Sequence, residues 1–404
     1  MHQITLDDLL SQEAIQNPCP FYAHLRMKEP LTRFTDIDGT DAWLVTSYNE
    51  ALALLTDPRF TNTKQQVSSQ QDGQRALQES TTDEEHTLSA GNMLSFTHLR
   101  PLVAKAFTPR RVEQLRLRIQ QIADALLDAV HRQGKMDLIA DFAYPLPITV
   151  ILELLGIPGE DRQTFRAWSQ AIVSTPNDSE QEEVRAVAHK ELTHYIATLL
   201  STRRKLPGND LVSDLVMREE NERKLHEQEL TFIIFVLLIA GHETTANLIG
   251  TSMLALLEHP LQLQVLRDDP SLIPVAVEEL LRYTAPVSTS GPRWAREDVV
   301  IESNVIRRGQ AVYVSLVAAN CDPQQFTAPE ELDITRQGNQ HLAFGKGIHF
   351  CLGAPLARLE GQIALSTLLR RMPHLRRASK TEQFVWKRDL FLRGVTSLPV
   401  TFSI

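Results

Sequence analysis

His341-Leu342-Ala343-Phe344-Gly345-Lys346-Gly347-Ile348-His349-Phe350-Cys351-Leu352-Gly353 is a glycine-punctuated loop that ends on a cysteine. Leu352 to Arg371 follows with Leu, Ala and Ile at helical spacing, which predicts a helix. Cys351 therefore sits at a helix mouth, where free N–H groups and the helix dipole favour a thiolate. Gly345, Gly347 and Gly353 allow tight turns and let a flat, bulky group come close to the backbone. A soft thiolate on a bare backbone shelf suits an iron held in a haem.

The rest of the composition bounds what the loop can belong to. The chain has 404 residues, 43% of them hydrophobic and 23% charged, as in soluble globular proteins. A net charge of −9 argues against nonspecific binding to nucleic acid. Three scattered cysteines, Cys19, Cys321 and Cys351, are too few for a disulfide framework and fit a reducing cytosol. The polar, acidic N-terminus predicts neither signal peptide nor membrane anchor. Phe232 to Ala240 is apolar but far shorter than a bilayer span, so it reads as a buried helix. With no internal repeat and no Gly/Ser linker, one domain over residues 1–404 is expected. Strands are expected at 31–46, 299–315 and 384–403, with a hairpin at Asp36 to Gly39. Residues 61–92 are polar and aperiodic and read as a loop.

A second motif lies in Glu227 to Glu258, which reads as one long helix centred on Ala240-Gly241-His242-Glu243-Thr244-Thr245. Gly241 would let a flat ligand reach the helix backbone. The Thr244 hydroxyl can compete for the Ala240 carbonyl and open a groove for water or dioxygen. Glu243 beside Thr244 supplies an acid–alcohol pair able to deliver protons there. His242 is expected to turn away, since a second iron-binding side chain would block oxygen.

The cysteine loop fits the pattern Phe-Gly-x-Gly-x-His-x-Cys-x-Gly, and Ala240 to Thr245 fits Ala/Gly-Gly-x-Asp/Glu-Thr-Thr/Ser. By both, the chain resembles the soluble bacterial type of the cytochrome P450 family. Further likeness comes from Glu279-Leu280-Leu281-Arg282, similar to the family's structural Glu-x-x-Arg, with Arg336 as a third partner. Gly291-Pro292-Arg293-Trp294-Ala295-Arg296-Glu297-Asp298 is similar to its Arg-x-Ala-x-x-Asp, and Arg393-Gly394-Val395 to its C-terminal turn. Two stretches depart from the family. Met93 to Pro101 lacks the Asp-Pro-Pro element, puts Phe96 at the family's histidine position and keeps Arg100; Pro101 suggests a helix starting late. Asn320-Cys321-Asp322-Pro323 has Cys321 where arginine is usual, a small structural substitution.

The resemblance implies a mostly α fold, a helical prism with a small β-rich subdomain. It implies a haem-thiolate monooxygenase that inserts one oxygen atom from O2 into a lipophilic small molecule by hydroxylation or epoxidation. Haem b would be ligated by Cys351, its propionates held by Arg100, Arg293 and His349, with Ala240, Gly241, Phe344, Gly345 and Gly353 lining its site. Glu243 and Thr244 would be catalytic. The substrate pocket would draw on Phe96, Phe235, Ile239, Val287, Ser288 and Val395. Electrons would come from a separate ferredoxin or flavodoxin with its reductase, docking on Lys105, Arg110, Arg111, Lys346 and Arg358. The implied location is cytoplasmic, with no membrane insertion. A peroxide-using or non-oxygenating haem-thiolate enzyme is the alternative, and a haem-based sensor a more distant one.

Overall fold

A computed structural model describes residues 4–36, 39–64, 67, 93–173, 179–221, 226–379 and 384–404, with backbone alone at 93–98 and 218–221. Most of the 61–92 loop, and the side chains of Phe96 and His98, thus lie outside the described residues.

Five strands make the main sheet: β1 (Leu31–Thr35), β2 (Asp41–Val45), β3 (Phe60–Thr61), β4 (Arg293–Ala295) and β5 (Ala311–Val314). Their order is β1-β2-β5-β4-β3, with β2 and β5 parallel and the other neighbours antiparallel. β2 reads Ala-Trp-Leu-Val after its first residue and is buried on both faces, as its near-continuous apolar run dictates. The predicted hairpin closes with the Asp36 amide donating to the Thr40 carbonyl at 2.9 Å and Gly39 at a φ of 74°. The 299–315 region holds a two-stranded ribbon, Val299–Ile301 with Asn304–Ile306, besides β5. Within 384–403 the one strand is Pro399–Thr401, which pairs with Lys135–Asp137 and Arg376–Arg377. Those two strands, β3 and β4 were not legible, because each is two or three residues long and gets its register from a distant partner.

Six helices position the site: α1 (Pro18–Lys28), α2 (Pro145–Leu155), α3 (Arg162–Val173), α4 (Glu227–Ala240), α5 (Glu243–Glu258) and α6 (Ile273–Thr284), followed by α7 (Ala354–Arg371) below the cysteine. The largest core cluster is built from apolar faces of α2, α4, α5, α6 and α7. α4 and α5 together are long and apolar enough to cross a bilayer, yet 67% of that apolar window is buried inside the protein, so core packing accounts for its composition. Met93–Ala104 is one helix with Pro101 inside it, so it does not start late. A 3-10 turn, Lys105–Phe107, follows.

α6 is anchored by a buried ion cluster. Glu279 and Arg282 are wholly buried and paired at 2.8 Å, and Arg336 joins Glu279 at 3.1 Å. Arg282 also donates to the carbonyls of Asn320 and Pro329, and Glu279 accepts from Asn339. The fixed fork of each guanidinium is thereby matched to oxygens from three separate stretches.

The cysteine expectation needs correction. Cys19, in the first turn of α1, is disulfide-bonded to Cys321, with Cα atoms 5.4 Å apart and 302 residues between them. Cys351 is the free cysteine. Spacing could not show this, since the pair meets only when α1 packs beside Leu316–Asn320; Arg26 of α1 secures the same contact through the Ala318 carbonyl at 2.6 Å. A disulfide is typically worth about 2–4 kcal/mol. Cys19→Ser is therefore expected to melt a few degrees lower than the oxidised wild type, and dithiothreitol should erase the difference. Equal melting points for the two oxidised proteins would show that the bond does not form in solution.

Candidate active site

The cysteine loop folds as the glycines require. Gly345 and Gly347 have φ of 67° and 74°, and a Cβ on Gly347 would come within 2.9 Å of the Leu55 carbonyl. The Cys351 amide donates to the Phe344 carbonyl at 2.9 Å. Phe344 is flanked by Phe350, with centroids 6.2 Å apart, and by the Arg358 guanidinium at 4.6 Å. α7 begins at Ala354 with Gly353 as its N-cap. Cys351 retains accessible surface although protein surrounds it. Burial pushes its thiol up, against the amides of Gly353 and Ala354 and the charge of Arg100, which favour the thiolate. The helix-mouth effect anticipated above is present but smaller than the desolvation.

Arg100 and Arg293 converge on His349. Burial, then the charges of Arg293 and Arg100, push the His349 imidazole down to about 4. Burial pushes Arg293 down to about 10, and this guanidinium donates to the Leu55 carbonyl at 3.3 Å. Arg100 donates to the Phe350 carbonyl. A thiolate-ligated haem needs one cysteine sulfur for its iron and donors for its two carboxylates. Cys351 meets the first need, and Arg100, Arg293 and His349 meet the second, so these residues fit the group.

The long helix expected over Glu227 to Glu258 is broken at Gly241 and His242. Side chains reach the carbonyls at the break: Thr244 Oγ1 donates to Ala240 at 3.2 Å, and His242 Nδ1 lies 2.6 Å from Leu238 O. A carbonyl only accepts, so Nδ1 carries the proton, and Nε2 faces the hydroxyls of Tyr144 and Ser169, each at 3.0 Å. Burial pushes His242 down, keeping it neutral. Ala240 is exposed and Thr244 partly so, whereas His242 and Glu243 are buried. Gly241 also serves packing. A Cβ there would meet the Leu237 carbonyl at 2.3 Å and Ile151 of α2 at 3.0 Å, so the glycine permits close packing of α2 on the break.

Other candidates are dispersed. Phe235 is partly buried against His189, with centroids 4.9 Å apart. Ile239 lines a small gap with Ile148, Phe165 and Leu238. Val287 and Ser288 are partly exposed, Val287 bridging to Leu392 and Ser288 Oγ donating to the Leu390 carbonyl. Val395 is 1% exposed and packed in the main core, so it does not wall an open pocket; its neighbour Thr396 is exposed. Of the basic face, Arg358 is already bound to Glu278 at 2.7 Å. Burial raises the Glu278 carboxyl, but Arg358 and His341 outweigh it and bring it down to about 2. Arg111 lies 3.9 Å from Asp214.

Two polar groups, one buried and one partly exposed, escaped the sequence reading. Glu360, on α7, has no carboxylate oxygen within good hydrogen-bond geometry of a partner among the described residues, and burial pushes it up to about 8 against the lowering effect of the nearby Thr245 hydroxyl. Lys387 donates to Glu243 Oε1 and, at 3.0 Å, to Asn247 Oδ1. Glu360 stands in an apolar helical run, which was a readable signal. Lys387 lies 144 residues from Glu243 and gave none.

The fold and the thiol-bearing loop define a haem-thiolate class of protein, and comparison with known proteins agrees. Residues 159–384 match the family model described as Cytochrome P450. The chain is 46% identical to Cytochrome P450 CYP107DY1 of Priestia megaterium, covering 100% of both chains. The solved structure of PksS, a cytochrome P450 of the Bacillus subtilis bacillaene polyketide synthase, matches with a TM-score of 0.88 at 43% identity, over 98% of this chain and 99% of that one. Myxobacterial CYP267B1 in complex with myristic acid matches with a TM-score of 0.90 at 40% identity, over 98% and 99%. The chain belongs to the cytochrome P450 family. It is an oxidoreductase, a P450-type monooxygenase.

Proposed function

We propose that the protein binds haem b and inserts one oxygen atom from O2 into a lipophilic small molecule, by hydroxylation or epoxidation, in the cytoplasm. The observation that carries this reading is the conjunction of an accessible Cys351 thiol with Arg100, Arg293 and His349 around its loop. When bound, the haem supplies dioxygen activation and the oxidising power. Cys351 would ligate its iron, and the Arg100 and Arg293 guanidinium groups with the neutral His349 imidazole would hold its carboxylates. Thr244 would present its hydroxyl at the break between α4 and α5, and Glu243 would hold and move the proton. Electrons would come from a ferredoxin or flavodoxin with its reductase. PksS is named for polyketide biosynthesis, and CYP267B1 was solved with myristic acid. Those names support a polyketide or fatty-acyl substrate here.

Turnover under isotopically labelled O2 tests the reading. Purified protein with ferredoxin, ferredoxin reductase and NADPH should place one labelled atom in a macrolactone or fatty-acid product and the other in water. Product carrying oxygen from added peroxide alone, or none from O2, would overturn it.

A further inference from the structure

The segment from Phe384 to Thr396 packs against the start of α5 through a short set of polar contacts. Its backbone doubles back, with Trp386 bridged to Val395 and the Lys387 amide donating to the Gly394 carbonyl at 2.8 Å. Gly394 lies so close to α5 that a Cβ there would be 2.2 Å from Asn247 Oδ1. This close approach brings the Lys387 ammonium onto Glu243 Oε1 and Asn247 Oδ1. Among the described residues the other carboxylate oxygen, Oε2, is buried without a hydrogen-bond partner, and so is Asn247 Nδ2. Glu243 is 5% exposed, so its carboxylate is held by one cation from a different part of the chain.

We propose that Lys387 is a positioning residue for the acid Glu243: bound to Oε1 and braced by Asn247 and Gly394, it fixes the carboxylate so that Oε2 is the oxygen that exchanges the proton. This rests on the monooxygenase reading above and deepens it. The exchange moves a proton and no electron: loss of the Oε2 proton leaves the carboxylate paired with Lys387, and return of a proton to the same oxygen restores the acid. The bond to Oε1 does two things at once. It offsets the cost of burying the carboxylate. It also prevents rotation of the carboxyl, so that the unpartnered oxygen keeps one direction relative to the break at Gly241 and His242. Since Lys387 and Val395 belong to one doubled-back segment, displacement of that segment moves the acid too.

The test is a double-mutant cycle read in two ways. Lys387→Met, Lys387→Arg, Glu243→Leu and Lys387→Met/Glu243→Leu are compared with wild type in thermal unfolding, for apoprotein and holoprotein. The pairing predicts that Lys387→Met lowers the melting temperature in the wild-type background and much less in Glu243→Leu. In reductase-driven turnover with myristic acid as the probe, Lys387→Met should raise the share of NADPH electrons released as hydrogen peroxide about threefold. Lys387→Arg should restore most of the wild-type value, because it keeps the cation. A purely structural lysine would lower the melting temperature and leave the peroxide share unchanged, which overturns the proposal; additive melting shifts overturn it as well. A wild-type protein lacking the thiolate band in its carbon monoxide spectrum overturns the monooxygenase reading and this inference together. A normal band with additive shifts overturns this inference alone.

Discussion

Cys351→Ala is expected to lose the red-shifted thiolate–haem absorption band of the dithionite-reduced, carbon monoxide-bound protein while keeping its helical fold. The side chain contributes little to packing, since Cys351 is exposed and the loop is shaped by backbone bonds and by left-handed glycines. Its removal leaves Arg100, Arg293 and His349 in place, so haem can still be recruited through its carboxylates. What disappears is the soft donor that directs electron density to the iron. The loss of turnover should exceed the ~10–100-fold typical of losing an outer-shell partner of a metal site. A variant that keeps the thiolate band would show that Cys351 is not the ligand. A wild-type spectrum typical of histidine ligation would do the same.

The second large effect is expected at Glu279. Its carboxylate accepts from Arg282 twice at 2.8 Å, from Arg336 at 3.1 Å and from Asn339 at 2.9 Å. Glu279→Ala strands two guanidinium groups, one of them wholly buried, without their counter-charge. Breaking a buried pair from one side costs about 3–5 kcal/mol. That is a large part of the roughly 5–15 kcal/mol by which domains are stable. The variant should be largely insoluble at 37 °C or show a much lower urea midpoint. Glu279→Leu/Arg282→Met should be milder, because no unpaired charge is left buried. A urea midpoint for Glu279→Ala close to that of wild type would mean that the arginines find other partners and the cluster is not a keystone.

The sequence disclosed what is contiguous. Phe344 to Gly353 and Ala240 to Thr245 are short runs in which the chemistry and the backbone geometry are specified by neighbouring residues, so both could be read directly. The ion cluster was half legible: Glu279 and Arg282 share a helical face, whereas Asn339 reaches them from 60 residues away. The interruption at Gly241 and His242 was signalled only by Thr244, read as a competitor for the Ala240 carbonyl; the apolar pattern runs through it unbroken, and the His242 contact with Leu238 was not legible. The cause of the interruption is competition from side-chain donors for carbonyls, which periodicity does not report. Cys19 with Cys321, and Lys387 with Glu243, were invisible for a simpler reason. Each pair is made by packing between remote segments, and each member alone resembles an ordinary residue of its type.

One last contact bears on how the molecule is made. Arg393 is buried; it donates to the carbonyl of Ile15 at 2.8 Å and to that of Thr284 at 2.6 Å, and it covers Trp386 at 4.5 Å. A residue near the end of the chain thus completes the bonding of residues near its beginning. While the ribosome is still translating, the carbonyl of Ile15 has no guanidinium to meet, and α1 has no Cys321 to join until most of the message has been read. The contacts of Ile15 with Arg393 and of Cys19 with Cys321 can therefore form only after those later residues have been made.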